Sequence, residues 1–242
     1  DVERVAKVAA EHPTQKLQYG FNHRYHDSVK EALATLRSGE LGKVVNMRGV
    51  YGKSKFISFG EHSDWRTKRA VAGGGILLDQ GIHLLDLMRL FGGEFEDIHS
   101  FVSNDYWGHD VEDNAYALMR TPDGVVAMLH STATQWRHRF NLEITLAKGA
   151  LILSGILSGS KSYGAETLTI VWAGDDDQGD PREQTIRYNT DPSWAEEIDA
   201  FAGCIHEDRP VTDCSVDDAC KTMALVASIY DADTTWRARW PD

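Results

Sequence analysis

One stretch of this sequence combines residue types and spacing that can do chemistry. It runs Gly73-Gly74-Gly75-Ile76-Leu77-Leu78-Asp79-Gln80-Gly81-Ile82-His83-Leu84-Leu85-Asp86-Leu87-Met88-Arg89-Leu90-Phe91. Placed on a helix at about 100° per residue, Asp79, His83 and Asp86 fall within about 60° of one another. Leu78, Ile82, Leu84, Leu85, Leu87 and Met88 fill almost every other direction, and a helix that apolar is buried. A buried carboxylate without a partner is costly, so the polar stripe must face a partner or a polar cleft. Asp79 and His83 stand four residues apart, the spacing of helix-surface neighbours. A carboxylate beside an imidazole raises its basicity and fixes its tautomer, as a general acid/base requires. The same pair also suits a satisfied contact tying the helix to a loop. The triple glycine reads either as backbone amides holding an anion or as a tight, closely packed entry turn.

Weaker candidates lie elsewhere. Trp136-Arg137-His138-Arg139-Phe140 sets cations among aromatics, and Arg137 or Arg139 suits a bidentate grip on a substrate carboxylate or phosphate. A surface cation at a strand end fits it as well. Tyr106-Trp107-Gly108-His109 has the character of a specificity loop, with Trp107 able to stack on a sugar ring or to anchor the loop. Lys53, Lys55, Trp65 and Arg66 flank the segment leading to the triple glycine and suit a lid. Three cysteines without paired spacing, Cys204, Cys214 and Cys220, suit a reducing cytoplasm and neither a disulfide scaffold nor a zinc site. A metal hydrolase built on Asp79 and His83 would need further ligands at a recognisable spacing.

The elements that must position these residues follow from periodicity. Helical patterns cover the region of Val2, Val5, Val8 and Ala9, then Ser28 to Gly39, Gly75 to Phe91, Trp194 to His206, and Val216 to Trp236. Between them the period changes to two. Strands are expected at 44–51, 98–104, 114–120, 125–132, 140–146, 151–153, 168–173 and 183–188, with a hairpin turn at Pro122-Asp123-Gly124. Short connections mean antiparallel pairing, and helices clustered around such a run mean α+β with the helices on one face. The acidic loop Asp175–Asp180 lacks a calcium-binding spacing. Over 242 residues, 37 acidic against 25 basic side chains leave a net charge of −12, which argues against nucleic acid or an anionic membrane as partner. No apolar run approaches the length of a membrane span.

Together these residues resemble the Gfo/Idh/MocA oxidoreductases, relatives of glucose–fructose oxidoreductase and inositol dehydrogenase. Gly73-Gly74-Gly75, Asp79, Gly81, His83 and Asp86 are similar to the family's GGG-x-x-x-D-x-G-x-H-x-x-D signature. Gly20-Phe21-Asn22-His23-Arg24-Tyr25 resembles its G-[FY]-N-x-R-[FY] stretch, and Ser38 to Val44 its S-G-x-L-G-x-[IV] turn. Asp64-Trp65-Arg66, Asp110 to Asn114, and Trp194 to Arg209 extend the resemblance over nearly the whole chain.

The resemblance implies an open, largely antiparallel sheet of the dihydrodipicolinate-reductase-like kind, serving an NAD- or NADP-dependent enzyme of a sugar, polyol or sugar nucleotide. It implies His83 as the group that takes the hydroxyl proton, Asp79 as the orienter of His83 or of the substrate hydroxyl, and Asn22, Arg24 and Tyr25 at a junction near substrate. Substrate contacts are expected from Trp65, Arg66, Trp107, His109 and Arg137. Residues 1–22 resemble the last helix and strand of a Rossmann domain, and 23–242 the substrate and oligomerisation domain, whose exposed sheet face pairs subunits. The family's E-K-P motif and the phosphate-cradling G-x-G-x-x-G are not in these residues, so the chain alone is expected neither to bind NAD strongly nor to turn over. An exposed apolar surface is expected near Val2, Val5 and Val8. A non-catalytic assembly module and an NAD-dependent glycosidase-type relative remain alternative readings.

Overall fold

The computed structural model describes residues 2–54, 65–158, 163–174 and 179–239. Lys55, Asp64, most of the Ser158–Gly164 loop and most of the acidic loop lie outside them.

Eight strands form one sheet in the order β2-β3-β4-β1-β5-β6-β7-β8. They are β1 Val44–Gly52, β2 Asp97–Ser103, β3 Asn114–Arg120, β4 Val126–Thr132, β5 Arg139–Leu146, β6 Gly149–Ser154, β7 Glu166–Trp172 and β8 Arg182–Tyr188. All neighbours run antiparallel except β1 and β4, which pair parallel, Asn46 opposite Val126 through Gly52 opposite Thr132. The alternation that announced the strands decides their faces. Ala115, Ala117, Met119, Ala127, Leu129, Leu142 and Ile144 point into the core and are at most 3% exposed. Their alternates Tyr116, Leu118 and Met128 stand 47–50% exposed on the other face.

Helices pack against the inner face or on one another. These are α1 Val2–Glu11, α2 Asp27–Ser38, the short α3 Arg69–Ala72, α4 Ile82–Gly92, α5 Ser193–His206, α6 Val216–Ala232 and α7 Thr234–Arg239. The core joins Leu84, Leu85, Leu87 and Met88 of α4 to Met47 and the inward strand residues.

Three expectations need correction. The helix read from Gly75 to Phe91 is a π-helical turn at Leu77–Gly81 followed by α4. The helix read to Trp236 breaks at Asp233, whose carboxylate accepts from the amides of Thr235 and Trp236 and from Val102 on the sheet edge. That competition ends α6 and starts α7. Residues 12–21 form no strand; a strand exists through its partner, and here the Tyr19 amide goes to the Cys214 carbonyl at 2.9 Å. On α1, Val5 and Val8 are exposed, 37% and 50%, while Val2 packs near Phe21 and Ala219.

Candidate active site

The triple glycine sets the entry into the site. Gly73 takes a left-handed conformation with φ of 80° and caps α3. A Cβ on Gly75 would overlap the Glu112 backbone. The amides of Gly75 and Leu77 do hold an anion, and it is the protein's own: they donate to the buried Glu112 carboxylate at 2.7 and 2.9 Å. The Tyr230 hydroxyl donates to the same group at 2.7 Å. Burial pushes the Glu112 carboxyl up and the Tyr230 hydroxyl well up, and these hydrogen bonds restrain the former.

The π turn then re-aims Asp79. Widening a helix by one residue per turn rotates the preceding side chains relative to those that follow. Asp79 therefore does not bond His83. Its Oδ2 accepts from Lys53 Nζ at 2.5 Å and its Oδ1 from Arg66 Nε at 3.0 Å. The Arg66 guanidinium lies 4.2 Å from the Trp65 ring centre, the latter 42% exposed. Lys53 closes β1 and is 2% exposed.

His83 opens α4 and stacks on His23, ring centres 4.2 Å apart and 9° from parallel. Nδ1 of His83 is sealed without a partner among the described residues. Burial carries the imidazole down to about 4, against the pull of Asp79 and with that of His26. It is therefore neutral at neutral pH. His23 is neutral too, lowered by burial and by its neighbours His83 and His26. Asn22 donates through Nδ2 to Ser193 Oγ, so its Oδ1 takes the His23 Nδ1 proton at 3.2 Å, leaving Nε2 to accept from the Tyr51 hydroxyl at 3.1 Å. His26 Nδ1 donates to Glu166 at 2.9 Å.

The other sequence candidates divide. Arg24 turns its buried guanidinium to Asp86 through two bonds at 2.7 and 2.6 Å, with Asp213 at 2.6 Å. It neutralises the carboxylate that the polar stripe left in need of a partner. Tyr25 packs beside Phe21 and Cys214, and burial raises its hydroxyl. Trp107 is tied down, its indole donating to the Ala133 carbonyl at 2.8 Å. His109 stacks on it at 6.4 Å. The exposed rings of that corner are Tyr106, 60%, and Trp136, 62%, with Arg137 exposed beside them. Gln135 joins this corner to the site, its amide donating to the Lys53 carbonyl at 2.9 Å. Sequence reasoning passed over His23 and Glu112 as site residues and gave Lys53 only to a lid; the signal for the first was a second histidine inside the Gly20–Tyr25 stretch.

Among the described residues no helix is long and apolar enough to cross a membrane. The glycine-rich helix start gives no cradle to the pyrophosphate of the dinucleotide that the resemblance implies, because its Gly75 and Leu77 amides are taken by Glu112.

Comparison with known proteins fits this geometry. Residues 29–152 match the GFO/IDH/MocA C-terminal domain. The levoglucosan dehydrogenase of Pseudarthrobacter phenanthrenivorans is 29% identical over 83 residues, 34% of this chain and 21% of that protein. The 1,5-anhydro-D-fructose reductase of Ensifer adhaerens is 27% identical over 157 residues, 62% of this chain and 45% of its own. A levoglucosan dehydrogenase structure, in complex with NADH and levoglucosan, superposes with a TM-score of 0.76 at 20% identity, covering 92% of this chain and 65% of that one. An aldose–aldose oxidoreductase from Caulobacter crescentus, complexed with glycerol, gives 0.75 at 24% identity, covering 93% and 64%. The matches span less than half the length of these curated relatives and just under two thirds of these solved chains.

Proposed function

The chain belongs to the GFO/IDH/MocA family, and from that premise we propose that it is the substrate-binding and proton-handling part of an NAD(P)-dependent oxidoreductase of sugars or polyols. The observation that carries the reading is a neutral imidazole, His83, whose Nδ1 has no hydrogen-bond partner among the described residues, just after the π turn that carries the cation-clamped Asp79. A neutral ring accepts a proton, which is what oxidation of a hydroxyl demands of the protein. Asp79, held by two cations, presents acceptor oxygens to sugar hydroxyls and, being unbonded to His83, positions substrate in preference to the ring. Trp65, Arg66 and the Tyr106–Trp107–His109 and Trp136–Arg137 corner form the wall. Tyr106 and Trp136 offer the free faces for stacking. Asn22 acts through His23, and Arg24 and Tyr25 support the floor.

The bound nicotinamide would accept or donate the hydride. We assign its holding to a dinucleotide-binding domain of which residues 1–22 are the closing segment, with 23–242 the substrate domain; alone, the chain is then inactive. Support comes from α1, which buries none of its side chains, and from the share of the relatives that lies beyond the match. The activities of those relatives, a levoglucosan dehydrogenase and a 1,5-anhydro-D-fructose reductase, support a carbohydrate substrate. The test is His83→Ala in the intact natural protein. Turnover falls by about 10²-fold or more while cofactor affinity stays within a factor of about two; unchanged turnover removes the assignment.

A second reading has its own observation. The outer sheet face exposes Phe101 at 79% with Tyr116, Leu118 and Met128, an apolar area suited to pairing with a second copy. The chain would then assemble through the sheet, with or without catalysis.

A further inference from the structure

Lys53 enters the reading above only as one of the two cations on Asp79, and its surroundings are unusual for a lysine. Few lysines are fully buried, because removing an ammonium from water is costly unless it is paired. This one is fixed at both backbone ends: its amide donates to Thr132 at 2.9 Å and its carbonyl accepts from Gln135 at 2.9 Å. It sits at the end of β1, between β4 and β5 in the middle of the sheet. Its Nζ meets one carboxylate among the described residues, that of Asp79. Burial lowers the lysine, Asp79 pushes it back up, and Arg66 lowers it.

The pair is asymmetric. The Lys53 side chain is 3% exposed and that of Asp79 19%. A staple holding two elements together would bury both ends. Here the cation is sealed and the anion is open, on a π turn, the kind of irregularity that collects at functional sites. Each carboxylate oxygen has two acceptor directions. Lys53 takes one on Oδ2 and Arg66 one on Oδ1. One direction per oxygen is left, side by side, which matches two neighbouring hydroxyls of a sugar or polyol.

We propose that Lys53 is a positioning residue: it holds Asp79 so that the open edge of the carboxylate accepts a vicinal diol of the substrate. The inference rests on the sugar oxidoreductase reading and adds a residue and a ligand pattern to it. It is tested by a double-mutant cycle in the intact protein, following reduction of NAD and NADP with levoglucosan and D-glucose as probes. Lys53→Met lowers kcat/KM by about 100-fold, mostly in KM, and Lys53→Arg recovers it to within about tenfold. In an Asp79→Asn background Lys53→Met changes it less than about twofold, because the lysine acts through the carboxylate. Wild-type turnover in Lys53→Met, or the same loss in both backgrounds, overturns the proposal.

A second measurement needs no activity. In this chain the Asp79 carboxyl ¹³C resonance, assigned by its disappearance in Asp79→Asn, moves in Lys53→Met and returns in Lys53→Arg. A resonance that does not move overturns the hold on Asp79 whatever the turnover. An inert wild type whose resonance does move overturns the oxidoreductase reading, and with it the diol, while keeping the Lys53–Asp79 hold.

Discussion

The imidazoles of His23 and His83 lie face to face, 4.2 Å between centres and 9° from parallel. One comes from the short turn Asn22–Tyr25 and the other from the start of α4. Two rings so close resist carrying charge together, since burial and mutual repulsion both oppose the protonated form. His26 stands 5.6 Å from His23 and adds to the effect.

The stack predicts how stability depends on pH. His83 titrates near 6.5 in the unfolded chain and at about 4 in the fold, and His23 is lowered as well. Between those values the unfolded chain binds protons that the fold refuses. Stability is therefore full above about 6.5 and falls as pH drops toward 4, by roughly 2–3 kcal/mol for a ring shifted this far. Urea unfolding at steps between pH 7 and 4.5 measures it. His83→Gln should flatten the slope; an unchanged slope would mean that the ring is not depressed.

The same shift predicts an unusual turnover profile. A proton acceptor with an ordinary imidazole loses activity as pH falls through 6.5. His83 stays neutral until about 4. Hydroxyl oxidation by the intact protein should therefore hold its kcat/KM between pH 7 and 5.5, with the acid limb below that range. A limb centred near 6.5 would assign proton acceptance to another group.

Glu112 carries a third expectation. Its carboxylate gathers the Gly75 and Leu77 amides and the Tyr230 hydroxyl, and it stands where a bound anion would otherwise sit. Glu112→Ala leaves these donors unpaired and should lower stability by about 3 kcal/mol. Gly75→Ala forces a methyl into the Glu112 backbone and should cost a similar amount. Chemical denaturation reads both. A loss under about 0.5 kcal/mol for either would show that the helix entry is not held this way.

These residues also show what was legible in the sequence. Alternation named the strands to within a residue or two at most ends, because strands such as β3 bury every second residue and leave the alternates wet. His83 and Asp79 stood out because they are polar on an apolar helix. Their mutual geometry did not, since the glycines on either side, Gly75 and Gly81, read as close packing and do not announce the extra residue of a π turn. Arg24 read as a substrate contact because its partners Asp86 and Asp213 lie 62 and 189 residues away. Lys53 sits at a strand end, where periodicity says nothing, and Asp233 broke a helix through a bond to the sheet edge at Val102.

The outer sheet face gives the last prediction. Phe101 pairs across the strands with Tyr116, and Tyr116 with His130. The Tyr116 and His130 rings stack at 4.1 Å. Leu118 and Met128 form the next row, again opposite one another. Two apolar rows on a sheet with an otherwise acidic chain are poor surface for a monomer and good surface for a self-complementary contact. Leu118→Glu with Met128→Lys keeps an ion pair within one sheet and removes the apolar row, so the monomer fold survives. Leu118→Glu with Met128→Glu places four like charges in a two-fold interface. Light scattering should find the wild type dimeric or larger, the first variant weakened, and the second monomeric at concentrations about 100-fold above those at which the wild type associates. Equal association of all three would place the contact elsewhere on the molecule.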